Sequence, residues 1–126
     1  ILVVEDELLM RQLLERRLRA AGYRILSAGD GTTAWRLFRE HQDEIALALV
    51  DLVMPGLDGL ALCAAIGQAR PGLPVLVSTG RLDLSYDEAC FANVRAQFLS
   101  KPYDMPTLLR LVREMLHPEA SDGPQH

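Results

Sequence analysis

The run Ile45-Ala46-Leu47-Ala48-Leu49-Val50 is wholly apolar and stops abruptly on a carboxylate, Asp51. It is too short for a helix of its own and lacks the alternation of a strand with one wet face. It therefore reads as a strand buried on both faces of a parallel sheet. That reading constrains the rest of the chain, because parallel neighbours need crossover segments, ordinarily helices, that cover both faces of the sheet. Asp51 then falls at the carboxyl edge of the sheet, where open α/β folds place their chemistry. A charge there is costly unless a cation or a reaction uses it. The competing reading is that Asp51 caps the turn that follows, as Asp often does.

The remaining segments supply the crossovers. Ile1 to Val4 reads as a strand and Leu8 to Ala21 as a helix with apolar positions Leu9, Leu13, Leu14 and Leu18, closed by Gly22 at a position that wants φ > 0. Tyr23 to Ala28 is a shorter strand, Gly29-Asp30-Gly31 a turn, and Thr32 or Thr33 the cap of a helix reaching about Glu40, with Ala34, Leu37 and Phe38 inward. After the central strand, a helix from Gly59 to Ala69 turns Leu60, Cys63, Ala64 and Ile66 inward. Arg70-Pro71-Gly72-Leu73-Pro74 ends it, and Val75 to Ser78 is the next strand. A polar loop over 80–86 leads to a weak helix at 86–93, then the strand Ala96 to Ser100. The last helix, Met105 to Leu116, carries Leu108, Leu109, Val112 and Leu116 on one face. Residues 1–117 form one domain and 118–126 a polar tail or linker. Right-handed crossovers follow from the parallel order.

Composition narrows the function. With 126 residues and a formal net charge of -4, the chain is large enough for a core and has no basic surface for nucleic acid. No apolar run is long enough to span a membrane and no signal-peptide pattern is present, so a cytoplasmic setting is expected. The chain opens directly on a strand without an initiator methionine, as a segment of a longer polypeptide would. Cys63 and Cys90 stand in apolar helical contexts and read as reduced core residues, and His41, His117 and His126 lack ligand spacing for zinc.

Glu5-Asp6-Glu7 follow the first strand where a nucleotide-binding fold would need glycines, so a Rossmann or P-loop reading fails. These acids would also suit the positive end of the next helix, at roughly 0.3–1 kcal/mol each. That does not explain why Asp51 ends a neighbouring strand at the same edge. If the first and third strands are adjacent, Glu5, Asp6 and Asp51 converge, and such carboxylates repel unless a cation binds. Hard oxygens suit Mg²⁺, which in turn welcomes a phosphoryl oxygen. Thr79 and Lys101 end two further strands at this edge and supply a hydroxyl and an ammonium for phosphoryl oxygens. Singly, Thr79 is ordinary β-propensity and Lys101 a solvated charge. Together the set points to phosphoryl transfer onto, or off, an aspartate.

Val3-Val4-Glu5-Asp6-Glu7, Asp51-Leu52-Val53-Met54-Pro55-Gly56-Leu57-Asp58-Gly59, Pro74-Val75-Leu76-Val77-Ser78-Thr79-Gly80 and Phe98-Leu99-Ser100-Lys101-Pro102-Tyr103 resemble the signature stretches of response regulator receiver domains of bacterial two-component signalling. The resemblance runs from Ile1 to about Leu116. It implies a doubly wound, flavodoxin-like (βα)5 fold with a five-stranded parallel sheet. It also implies that Asp51 accepts a phosphoryl group from a phosphohistidine, with Mg²⁺ held by Asp6, Asp51, Glu5 through water and the Val53 carbonyl. Lys101 would pair with the phosphoryl oxygens, and the backbone N–H groups of Leu52 and Gly80 would assist. The Lys101-Pro102 bond would be cis and aim the lysine inward. Thr79 and Phe98 would form the switch, although core packing is the other reading of Phe98.

The chain departs from the family pattern at Glu5, in place of the usual first Asp, and at Gly80, in place of Ala; 81–93 is polar and irregular. The resemblance implies a histidine kinase or histidine phosphotransfer protein as partner and no direct contact with nucleic acid or membrane, and it leaves a homodimer open. The stretch Arg70 to Gly80 looks most like receivers at the end of hybrid sensor histidine kinases, which would tether the domain at the inner membrane face. As a signalling receiver it would catalyse only its own phosphorylation and dephosphorylation. A haloacid-dehalogenase-type phosphatase would need an acid where Val53 stands. The remaining alternative is an interaction module of this fold that is never phosphorylated.

Overall fold

The apolar runs do assemble into one parallel sheet, seen in a computed structural model that describes residues 1–52, 59–79 and 91–117. Its strands are β1 (Leu2–Val4), β2 (Leu26–Ala28), β3 (Ala48–Asp51), β4 (Pro74–Thr79) and β5 (Arg95–Ser100), in the order β2-β1-β3-β4-β5. Every neighbouring pair is parallel, with Val4 opposite Val50, Asp51 opposite Ser78 and Thr79 opposite Ser100. The helices among the described residues are α1 (Leu8–Ala20), α2 (Gly31–Glu40), α3 (Gly59–Ala69) and α4 (Met105–Leu116). The expected helix at 86–93 lies largely outside the described residues, as do Cys90 and the tail 118–126. No described helix is long and apolar enough to cross a membrane.

Period-two alternation divides the core into two layers. Leu2, Val4, Ala48, Val50, Val75 and Val77 pack with Phe38 of α2 and Leu62, Cys63 and Ile66 of α3. Val3, Leu49, Leu76 and Leu99 pack with Leu14 and Leu18 of α1 and with Leu108, Val112 and Met115 of α4. The central strand is shorter than its apolar run, because Ile45 and Leu47 are buried ahead of the ladder rather than within it. β2 likewise occupies only the end of its run. Tyr23 is taken up in closing α1: Gly22, at φ 100°, donates to the Arg19 carbonyl, and Tyr23 donates to that of Leu18. This Schellman pairing satisfies carbonyls the helix leaves open.

Two expectations are corrected. Helix α2 is capped by Asp30, not by Thr32 or Thr33: the Thr33 N–H donates to Asp30 Oδ1 at 2.7 Å, and the helix starts at Gly31. These hydrogen bonds from Thr33 hold the Asp30 carboxyl below the usual range. In α1 the buried stripe is Leu14 and Leu18, continued by half-buried Met10, whereas Leu9 is 74% exposed and Leu13 is also exposed. The stripe steps by four residues, and Leu9 and Leu13 sit one residue, about 100°, to its side. In α4, Met105 follows the Asp104 cap, and Leu108, Val112 and Met115 are buried while Leu109 and Leu116 flank them.

Gly59 joins the sheet to α3 at close quarters. A Cβ there would lie 2.6 Å from the Leu52 Cα and 2.8 Å from the Asp51 carbonyl oxygen, both backbone atoms that cannot turn aside. Gly59→Ala is expected to cost about 1–3 kcal/mol, the range for overpacking. Urea denaturation checks this; a variant as stable as the parent would contradict the close approach.

Candidate functional site

Strand parity explains which side chains meet. Glu5 continues the side of β1 that carries Val3, Asp51 the side of β3 that carries Leu49, and Lys101 the side of β5 that carries Leu99. All three therefore lean toward the α1 and α4 side at the carboxyl edge of the sheet. Lys101 Nζ donates to Asp51 Oδ2 at 3.0 Å and stands 3.7 Å from Glu5 Oε1. Glu5 and Asp51 are buried, at 3% and 5% exposure, whereas Asp6 is exposed. One carboxylate oxygen from each of Glu5, Asp6 and Asp51 lies within 4.8 Å of the others. When all are ionised, three carboxylates face one ammonium, a surplus of negative charge that suits a hard divalent cation.

Burial dominates the electrostatics of Glu5. Desolvation pushes its carboxyl up to about 7, against the opposing effects of the Glu7 N–H, which donates to Oε2 at 3.1 Å, and of Lys101. Burial works to lower the Lys101 ammonium, but its hydrogen bond to Asp51 and the charges of Asp51, Glu5 and Asp6 outweigh it and hold the group above its ordinary value. Lys101 is thus a paired cation rather than a solvated one. The Lys101–Pro102 bond is cis.

The other predicted residues are distributed around this centre. Thr79 is buried at the same edge but continues the Val75–Val77 side of β4, the face opposite Asp51. Phe98 is 42% exposed, so core packing does not describe it; its ring meets that of Phe91 edge-on, with centroids 5.2 Å apart. The Leu52 N–H, expected to assist an anion, donates to the Ser78 carbonyl at 3.2 Å. Val53 and Gly80 lie outside the described residues.

Two residues at the site were given no role by the sequence. Arg11, on α1, donates from Nη1 to the Glu5 carbonyl at 2.9 Å. It fills the space a Cβ at Gly29 would need, 2.7 Å from Nη1. Tyr103, at the end of the stretch after Lys101, has a hydroxyl oxygen that is buried and meets no hydrogen-bonding partner among the described residues. Burial, and then the charges of Glu5 and Asp51, push its phenol above the ordinary value. A buried donor left unpaired costs roughly 1–3 kcal/mol.

Residues 1–113 match the family described as the response regulator receiver domain. The chain is 31% identical over 125 residues to the DNA-binding transcriptional regulator NtrC of Escherichia coli K12, covering 98% of this chain and 26% of that protein. Among solved structures, a response regulator receiver domain protein from Clostridium thermocellum superimposes with a TM-score of 0.80 at 27% identity, over 94% of each chain. The receiver domain of the hybrid histidine kinase CckA gives 0.77 at 34% identity, over 91% of this chain and 96% of that one. The chain thus spans about a quarter of the length of NtrC.

The raised Glu5 carboxyl has a pH signature. Between about 4.5 and 7 the folded chain binds a proton at Glu5 that the unfolded chain has released, so Glu5 lowers stability as pH rises through that window. In chelator, the melting temperature is expected to fall from pH 5 to pH 8 by a margin that Glu5→Gln removes. An identical decline in wild type and variant would contradict the burial of this carboxylate.

Proposed function

The chain belongs to the response regulator receiver domain family, and on that premise we propose that it is a phospho-acceptor whose nucleophile is Asp51. The observation that carries this reading is the buried Asp51 carboxylate, hydrogen-bonded to Lys101 at 3.0 Å within the cluster of Glu5 and Asp6. An Asp51 oxygen attacks phosphorus, the bond from phosphorus to the donor imidazole nitrogen breaks, and an acyl phosphate forms. The imidazole keeps the bonding electron pair and leaves as the neutral ring after protonation.

The donor set fits Mg²⁺, because hard carboxylate oxygens converge with a surplus of negative charge. Asp6 and Asp51 would hold it directly, Glu5 through water, and the Val53 carbonyl would add a ligand. When bound, the ion supplies charge neutralisation at phosphoryl oxygens. Lys101 is already at Asp51 and turns its ammonium to the new phosphoryl oxygens, a charge-assisted hydrogen bond. The Leu52 N–H can join only by giving up its bond to Ser78, and Gly80 would offer a second N–H.

Phosphorylation replaces the single charge of the Asp51 carboxylate with a phosphoryl group of roughly 1.5 to 2 negative charges, beside two other carboxylates. In this reading the Thr79 hydroxyl moves toward the phosphoryl group and the Phe98 ring leaves Phe91 and turns inward. The altered surface of the receiver unit, residues 1–117, is the output. The donor is a histidine kinase or a histidine phosphotransfer protein, whether the domain acts within a response regulator or a hybrid kinase.

Incubation with a small phosphodonor or beryllofluoride and Mg²⁺ tests this. Wild type is expected to take up one phosphoryl group or fluoride adduct by intact mass, and Asp51→Asn none; equal uptake by the variant would remove Asp51 as nucleophile. Mg²⁺ alone should raise the melting temperature because it binds only the folded cluster. Asp6→Asn should lose most of that rise, and an undiminished rise would place the ion elsewhere.

A further inference from the structure

Gly29 stands in the turn after β2, yet its backbone does not call for glycine. Among the described residues only Gly22 and Gly72 have positive φ. What Gly29 provides is room: a Cβ there would come within 2.7 Å of Arg11 Nη1 and 3.4 Å of Arg11 Cζ. The guanidinium that fills this space donates from the same Nη1 to the Glu5 carbonyl at 2.9 Å. Arg11 stands near the N-terminal end of α1, where the helix dipole gives a cation no support, whereas Arg17 and Arg19 lie in the last turn, which favours one. Its place is explained by what it holds. The Glu5 carbonyl lies in the peptide plane that joins the Glu5 and Asp6 Cα atoms, so a bond to that oxygen restrains both residues at once. Elsewhere the Glu5 N–H donates to the Ala28 carbonyl at 3.0 Å, and Glu5 Oε2 accepts the Glu7 N–H at 3.1 Å. Arg11 adds the tie on the side of Asp6.

We propose that Arg11 is a positioning residue of the carboxylate cluster: seated over Gly29, its guanidinium fixes the Glu5–Asp6 peptide and so sets where those two carboxylates stand toward the cation. It acts through the backbone, as outer hydrogen-bond partners act on metal ligands, by holding them in the geometry that binds. A positioning role and a role as mere counter-charge differ in sign. Deleting a cation near three carboxylates would by itself tighten the binding of a dication, whereas freeing the peptide weakens it. The inference rests on the reading of Glu5, Asp6 and Asp51 as a Mg²⁺ site.

Calorimetric titration of Mg²⁺ into wild type, Arg11→Met and Gly29→Ala, with melting temperatures in chelator, tests it. Arg11→Met keeps an aliphatic stem and removes the guanidinium. Gly29→Ala leaves the carboxylates and the charge of Arg11 in place and pushes the guanidinium off the carbonyl; it carries the test if Arg11→Met fails to fold. The Mg²⁺ dissociation constant is expected to rise about ten-fold in both variants. A constant unchanged or lowered in Arg11→Met overturns the role of Arg11 even where the melting temperature falls, since a purely structural arginine moves only the latter. A constant unchanged in Gly29→Ala overturns the seat at Gly29. Wild type that binds no Mg²⁺ overturns the ion site itself, and the role of Arg11 with it.

Discussion

Two carboxylates buried at the edge of an apolar sheet, with one ammonium between them, set the terms for the rest of the molecule. Parallel pairing of β1, β3, β4 and β5 sends every strand end to the same edge, and strand parity leans Glu5, Asp51 and Lys101 toward one side of it. Breaking a buried ion pair by removing one partner leaves an uncompensated charge, so Asp51 and Lys101 hold each other in place. Glu5, buried and further from the ammonium, has its carboxyl raised chiefly by desolvation. A site balanced in this way responds to any charge brought to it, whether a dication or a phosphoryl group, and this responsiveness suits a switch.

The sheet separates the proposed acceptor from the proposed switch residues. Asp51 leans toward α1 and α4, whereas Thr79 continues the face that packs on α2 and α3. Phe98 pairs with Val77 across the ladder, two residues before Thr79, and its exposed ring rests on Phe91. The proposed movement of Thr79 would therefore cross the strand edge and exchange an aromatic contact on the surface for a buried one. The energy at stake is modest, since an aromatic pair contributes about 0.5–1.5 kcal/mol beyond its buried area.

Much of this was legible in the sequence because it depends on backbone periodicity. The run ending in Asp51 placed the central strand, and the adjacency of the first strand, on which the convergence of the acids was made to depend, is what the sheet shows. What escaped depends on tertiary context. Asp30 is by residue type a better cap than Thr32 or Thr33, and the start of the helix at Gly31 decides for it. Leu9 and Leu13 fit a helical period as well as Leu14 and Leu18, but α1 is covered along a narrow stripe. Arg11 gave no signal and Tyr103 none beyond its place in the stretch after Lys101, since a guanidinium on a backbone carbonyl and a sealed hydroxyl follow from the packing of α1 and the turn after β5.

The proposed mechanism leaves phosphorus on the carboxylate that the sheet buries against Lys101. Borohydride reduction of the phosphorylated chain, followed by peptide mass mapping, tests it most directly, because an acyl phosphate is reduced to the corresponding alcohol. Conversion at Asp51 alone is expected. Reduction at Glu5 or Asp6, or a phosphoryl group on Ser78 or Thr79 that resists the reagent, would contradict it.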